Sequence, residues 1–170
     1  MKLQELINAF NVIKNINVQG EVRFIYKFIK NKKVLEKKVN EEQEILNKII
    51  EPDEKLIEFE KKRLEILNEY GEKDEKGSLK QDVTGNVIVP EEKKEEFNEK
   101  LQNLIDEYKE VLDKRQEQMK EYNELLNDEV DMSDIKLYKF KLDELPNNLT
   151  VKQIEAMEEL GMIKDEGLDE

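Results

Sequence analysis

From residue 97 onward, Phe97, Leu101, Leu104, Tyr108, Val111, Arg115, Gln118, Tyr122 and Leu125 follow one another at steps that alternate four and three without a slip. That spacing keeps one stripe of an α-helix turned toward a neighbour, and a strand with its period of two cannot hold it. At 1.5 Å per residue a helix over 91–127 would run for roughly 55 Å. The stripe is apolar at both ends and polar in the middle. A charged helix of that length needs a partner, and the preceding helical material folded back antiparallel can supply one.

That material is legible in pieces. Leu3, Leu6, Ile7, Phe10 and Ile13 stand at helical spacing in a short amphipathic helix, and "NINVQGEV" reads as a connection. A second helix starts near Glu21 and carries Ile25, Phe28, Ile29, Leu35, Val39, Leu46 and Ile49, with Lys32 and Glu42 interrupting its seam. Pro52 kinks this helix or opens a new one, which continues to Tyr70 through Leu56, Phe59, Leu64, Ile66 and Leu67. Between Gly71 and Pro90 lie the turn residues of "DEKGS" and "VTGN" and the short β-branched run "GNVIVP". This stretch predicts a small β element at the tip of the hairpin.

After Asn127 the pattern changes again. Ile135 and Leu137 are in phase with each other but out of phase with Phe140 and Leu142, which predicts an extended segment with a bulge or bend rather than one flat strand. "LTVKQIEAMEEL" follows as a short helix, with Thr150 as its N-cap, Gln153 completing a capping box, and Gly161 at its end. The expected fold is mainly α: a long antiparallel, coiled-coil-like helical hairpin with a small β tip, plus a C-terminal extended segment and helix. The whole of 1–170 reads as one elongated domain, divided into N-terminal helices (1–70), β tip (71–90), return helix (91–127), extended segment and short helix (128–163) and acidic tail (164–170).

Composition narrows the function classes. With 42% charged and 37% hydrophobic residues and no Trp, the chain has little material for a round, pocketed core. It contains no Cys and no His, so thiol nucleophiles, disulfides, Cys/His zinc sites and the side chain that titrates near neutrality are all missing. No apolar run of about 18 residues occurs, so neither a membrane span nor a signal peptide is expected, and a cytoplasmic site is the default. The net charge of −13 is uneven: residues 1–50 hold 10 basic and 6 acidic residues, and the remainder 19 and 36. The basic run Arg23 to Lys38 is read as neutralising the acidic remainder, and no nucleic-acid binding is expected.

Placing Gly77 at the glycine of a calcium loop puts Lys76 at a ligand position and Val83 at the bidentate one, which excludes that site. The many carboxylate pairs lack an apolar or glycine-rich setting that would separate their pKa values, and no phosphate loop, dinucleotide fingerprint or nucleophile elbow is present. No catalytic residue, metal or cofactor is predicted. The Asn148 sequon is explained by Thr150 acting as a helix cap, and Phe24, Tyr26 and Phe28 are read as dividing between a core face and a solvent face rather than stacking on bases.

Four stretches carry a resemblance: "LINAFNVIKNINVQGEVRFIYKFIKN", "YGEKDEKG" after a helix, "EEFNEKL" opening the next helix, and "LLNDEVDMSDIKL" followed by "LTVKQIEAMEEL". Over nearly its whole length the chain resembles a family of small proteins of unknown function from tailed phages and prophages of Gram-positive bacteria. "NEEQEILNKIIEP" and "DEYKEVLDKRQEQ" look like matched insertions relative to that family, as an antiparallel pair requires. The resemblance implies a phage origin and carries no catalytic residues.

The expected function is therefore a non-enzymatic protein that works by protein–protein contact as a virion-associated or assembly accessory factor, in the host cytoplasm or on the virion. A small acidic inhibitor of a host defence or nucleic-acid enzyme and a prefoldin-like holdase are the alternatives. The interleaved signs of "EEKKEEFNEK" weigh against a phosphate mimic. Contact is expected where the sequence departs from plain helix: Leu79, Val83, Val87, Ile88 and Val89 in the tip, and Ile135, Leu137, Tyr138 and Phe140 in the C-terminal segment. The partner is a protein, a second copy being admissible, with no membrane involved.

Overall fold

The computed structural model describes residues 1–164. They form six α-helices and two 3-10 turns, and no strand or sheet is present among them. The mainly helical class expected from periodicity is what the chain adopts. The acidic tail expected at 164–170 lies, apart from Lys164, outside the described residues. Where the sequence suggested a single domain, contacts gather the chain into two compact units: residues 1–49 together with 121 onward, and residues 50–120.

The first unit contains α1 (Leu3–Lys14), α2 (Val22–Ile49), the last turns of α5 (Lys109–Asn127) and α6 (Val151–Glu159). Helix α1 packs against both α2 and α6. It buries Leu3, Leu6, Phe10 and Ile13, the stripe read from sequence, around a core that also holds Phe28, Leu35, Phe140, Met157 and Met162. Each of these large side chains contributes roughly 1.5–3 kcal/mol through its removal from water. Phe24 tilts onto Phe140 with ring centroids 4.6 Å apart and stacks on Phe28 at 5.9 Å.

The buried stripe of α2 keeps Phe28, Leu35, Val39 and Leu46 of the predicted one and takes in Phe24 and Asn31 as well. It runs through Phe24, Phe28, Asn31, Leu35, Val39 and Leu46, leaving Ile25 at its edge and Ile29 exposed. A polar residue, Asn31, is buried next to Lys32, which the predicted seam had as its interruption. Lys32, the expected interruption, instead reaches the Lys14 carbonyl at the end of α1 and satisfies one of its orphan acceptors.

In the same unit, the predicted extended segment is held by isolated pairings and forms no strand. Phe140 bridges Ile163 in parallel, its N–H donating to Met162 and its carbonyl accepting from Lys164. A 3-10 turn at Leu142–Glu144 follows, beyond the phase change between Leu137 and Phe140 from which a bulge or bend is expected. Thr150 caps α6 with the full reciprocal box to Gln153. At its other end, Met162 donates to Met157 and Gly161 to Glu158, with Gly161 at φ +69°. This 6→1 and 5→2 pair closes the helix as a Schellman motif, which needs a left-handed residue at that position.

The second unit contains α3 (Glu54–Tyr70), the segment 71–90, α4 (Lys94–Glu107) and the first turns of α5. Pro52 lies in the connection before α3, whose N-cap is Asp53. Contacts between α3 and α4 pair Tyr70 with Phe97, Glu69 with Lys100, Lys62 with Glu107 and Phe59 with Tyr108, so one number rises as the other falls. Phe59, Leu104 and Tyr108 form the small core here, while Leu64 faces solvent and leaves the α3 seam to Phe59, Ile66 and Tyr70.

The predicted return helix is interrupted. It opens with a 3-10 turn at Glu91–Lys93 and breaks at Tyr108, where φ is −105° and ψ 16°. The Tyr108 carbonyl accepts from both Val111 and Leu112 at 3.0 Å, so the ladder tightens locally before α5 resumes. The nine-residue stripe is nonetheless packed: every member from Phe97 to Leu125 is buried or half-buried. Its polar centre has a use, because the Arg115 guanidinium donates to the Ile50 carbonyl at 2.6 Å, just beyond α2.

Candidate functional site

Residues 71–90 are the part of the second unit that helix packing does not require. Two five-residue loops follow one another, Asp74-Glu75-Lys76-Gly77-Ser78 and Asp82-Val83-Thr84-Gly85-Asn86. Their bonding is the same. In each, the Asp N–H donates to the carbonyl four residues on, and the Gly N–H donates back to the Asp carbonyl. In each, the Asp Oδ1 accepts from the backbone N–H groups two and four residues ahead, at 2.8–3.0 Å. Gly77 and Gly85 stand at φ +80° and +85°, the left-handed position that a five-residue hairpin loop places at its close.

The two loops are copies displaced by eight residues, and the displacement extends to their bases. Antiparallel bridges join Lys73 to Leu79 and Gln81 to Val87. The predicted β tip thus reduces to two isolated bridges, because each ladder is one rung long. Inside them a ring of three backbone bonds closes: Lys80 donates to Glu72 at 2.8 Å, Ile88 to Lys80 at 3.0 Å, and Glu72 to Ile88 at 2.8 Å. Positions 72, 80 and 88 each give one bond and take one. Two sides of this triangle are the loops, and the third opens into α3 and α4.

Gly71 lies beneath the ring. A Cβ built there would stand 2.6 Å from Val87 Cγ1, 2.7 Å from Leu79 Cδ2 and 2.6 Å from the Leu67 carbonyl oxygen. The absent side chain is what lets Leu79 and Val87 close over the end of α3. Tyr70 is buried beside them and donates its hydroxyl to Glu96 at 2.7 Å, fixing the last turn of α3 to α4.

The electrostatics are local. The Thr84 hydroxyl, followed by the Asn86 and Thr84 N–H groups, holds the Asp82 carboxyl below its ordinary range. Asp53 is lowered chiefly by the Leu56 N–H that it caps, and Glu144 by the Lys141 N–H. These carboxylates serve turns and caps. No group of three or more carboxylates is placed to hold a metal among the described residues, and Asp74 Oδ1 already receives the N–H groups of Lys76 and Ser78.

The nine predicted contact residues divide by burial. In the tip, Val83 is fully exposed at the crest of the second loop, Leu79, Val87 and Ile88 are half-buried, and Val89 is buried at 9% exposure. In the other unit, Tyr138 is exposed, Ile135 and Leu137 are half-buried, and Phe140 is core at 1% exposure. Phe140 and Val89 therefore present no side chain to a partner in this conformation. Strand addition at residues 72, 80 and 88 has no backbone group left to use, since the ring consumes both from each.

Sequence reading marked the turn residues but missed the ring. Its signal was present as Asp-x-x-Gly-Ser and Asp-x-x-Gly-Asn at an interval of eight. No family model, no curated protein and no solved structure matches the chain.

Proposed function

We propose that this chain is a non-enzymatic protein of phage origin that works by protein–protein contact, as a virion-associated or assembly accessory factor in the host cytoplasm or on the particle. In this reading α3 and α4 are the arms of a coiled-coil-like antiparallel hairpin, and 71–90 is its tip and contact surface. The observation that carries it is the doubled loop. Twenty residues are spent on a bonded platform over Gly71 at the end of α3, apart from the small core of Phe59, Leu104 and Tyr108, and it holds Val83 out in water. A preorganised loop loses little entropy on docking, which is how a small surface gains affinity. The phage assignment rests on the resemblance of "YGEKDEKG" and its flanking stretches.

The reading is tested by exchanging residues 73–87 for a short Gly/Ser turn and following both proteins through purified particles from an induced culture. The intact chain should co-purify with particles or assembly intermediates, and the shortened chain should stay helical and be lost from them. Equal retention of both would remove the tip as the contact surface. Absence of the intact chain from every assembly fraction would remove the assembly role.

A further inference from the structure

The side chain of Asn31 draws residues 135–141 alongside the buried side of α2, and both segments are more basic than the chain as a whole. Between Val22 and Lys38 there are seven basic residues and one acidic residue, and Ile135–Lys141 adds Lys136, Lys139 and Lys141 with no acid. The whole chain has a net charge of −13. On the side of α2 opposite Phe24, Phe28 and Leu35, Val22, Tyr26 and Ile29 stand at steps of four and three, 83%, 57% and 46% exposed. Lys30 and Lys33 continue the same face, and Lys30 Nζ lies 5.5 Å from the centre of the Tyr26 ring. No carboxylate among the described residues forms an ion pair with Lys30 or Lys33, whereas Lys37 and Lys38 pair with Glu41 and Glu42.

We infer that this face of α2 is a second docking surface, and that its occupant is an acidic amphipathic helix of a partner protein. The contact role proposed above underlies this inference, but the surface is separate from the tip. Apolar positions at 22, 26 and 29 match the spacing by which one helix seats on another, and the flanking lysines select Asp and Glu at the partner's edges. The face spans Val22 to Lys37, so a partner of about four turns, roughly 24 Å, would cover it. A nucleic-acid strand would use the lysines but gain little from Val22 and Ile29. It would also find Phe24 and Phe28 sealed in the core, leaving Tyr26 as the one exposed ring on α2. The same face of a second copy in a symmetric dimer is disfavoured, because it would set Lys30 and Lys33 of one copy against those of the other.

A random 16-residue peptide library displayed against the intact protein provides the test. Enriched peptides should carry Leu or Phe at helical spacing with Asp or Glu between, and a synthetic copy should bind at least tenfold more weakly to the Lys30→Glu/Lys33→Glu variant and to Tyr26→Ala. These positions are exposed, so circular dichroism should be unchanged. The oligonucleotide (dT)20 and anionic phospholipid vesicles are titrated alongside, and tighter binding of either than of the best peptide would overturn the proposal. Enriched peptides that ignore the charge reversal but lose binding to the protein with the 73–87 replacement would overturn this surface and leave the contact role standing. Enrichment on neither surface would count against both.

Discussion

Asn31 reads both backbone groups of Tyr138: its Nδ2 donates to the carbonyl at 2.8 Å and its Oδ1 accepts from the N–H at 2.8 Å, across 107 positions of sequence. One side chain takes the place of a neighbouring strand and satisfies a residue that has no ladder partner. Asn31 is itself 1% exposed, and no buried side-chain nitrogen or oxygen lacks a partner among the described residues. Replacing it by Leu removes both bonds and strands two polar groups, each of which costs about 1–3 kcal/mol when left unpaired. Asn31→Leu is expected to lower the urea midpoint accordingly and to speed amide exchange at Tyr138. An unchanged exchange rate there would show that the pair does not hold the segment.

Asn31→Asp separates the two bonds. A carboxylate still accepts from the Tyr138 N–H but faces the Tyr138 carbonyl with no proton to give. Burial and that carbonyl both favour the protonated form, so the introduced Asp should have a folded-state pKa above its unfolded one. By linkage, the variant should be closest to the original protein below the unfolded Asp pKa and lose stability as pH rises through the folded value. Denaturation at a series of pH values checks this, and a variant whose deficit grows on acidification would contradict it.

At the end of α3, Gly71→Ala should be costly although its φ of −69° suits any residue. The added methyl meets Val87 and Leu79, which can shift, and the Leu67 carbonyl, which is helix backbone. Overpacking of this kind costs about 1–3 kcal/mol. Nuclear magnetic resonance should show shifts spreading through both loops, since Leu79 closes the base of one and Val87 that of the other.

The second loop should loosen in acid. The Asp82 carboxyl is held below its ordinary value of 3.8 by bonds that only the ionised form accepts in full. A lowered folded-state pKa means that its contribution is present above the unfolded value and lost as pH falls through the folded one. The Thr84 and Asn86 amide resonances should therefore titrate with a midpoint below that of a free Asp, and Asp82→Asn should abolish the titration. A midpoint at or above 3.8 would contradict the bonding described.

Neighbouring residues on α2 offer a control on its phase. Phe28 is fully buried and Ile29 is 46% exposed. Phe28→Ala is expected to cost about 3–5 kcal/mol, and Ile29→Ala no more than about 0.5 kcal/mol. Equal costs would mean that the helix is rotated from the orientation described.

Where local chemistry decides, the sequence was sufficient. The stripe from Phe97 to Leu125 is set by a period, and all nine positions are buried or half-buried. Thr150, Gln153 and Gly161 bound α6 through bonds that span three to five residues, so the signal and the structure occupy the same short window. The doubled loop was legible in principle as a repeat, although its closure into a ring at 72, 80 and 88 was not.

Tertiary structure decided the rest. Hydrophobicity could not place Asn31 in a core, because the group that makes its burial tolerable is a backbone pair 107 residues away. Nor could it choose between Ile25 and Phe24 or between Leu64 and Phe59 for the core, since each pair is apolar and only the opposing surface tells them apart. The break at Tyr108 sits in an unbroken helical pattern, beside a ring packed 5.7 Å from that of Phe59. A sequence determines its periods and its caps because these are bonds between near neighbours. Which face is buried, and where a continuous helix yields, depends on what the rest of the chain brings against it.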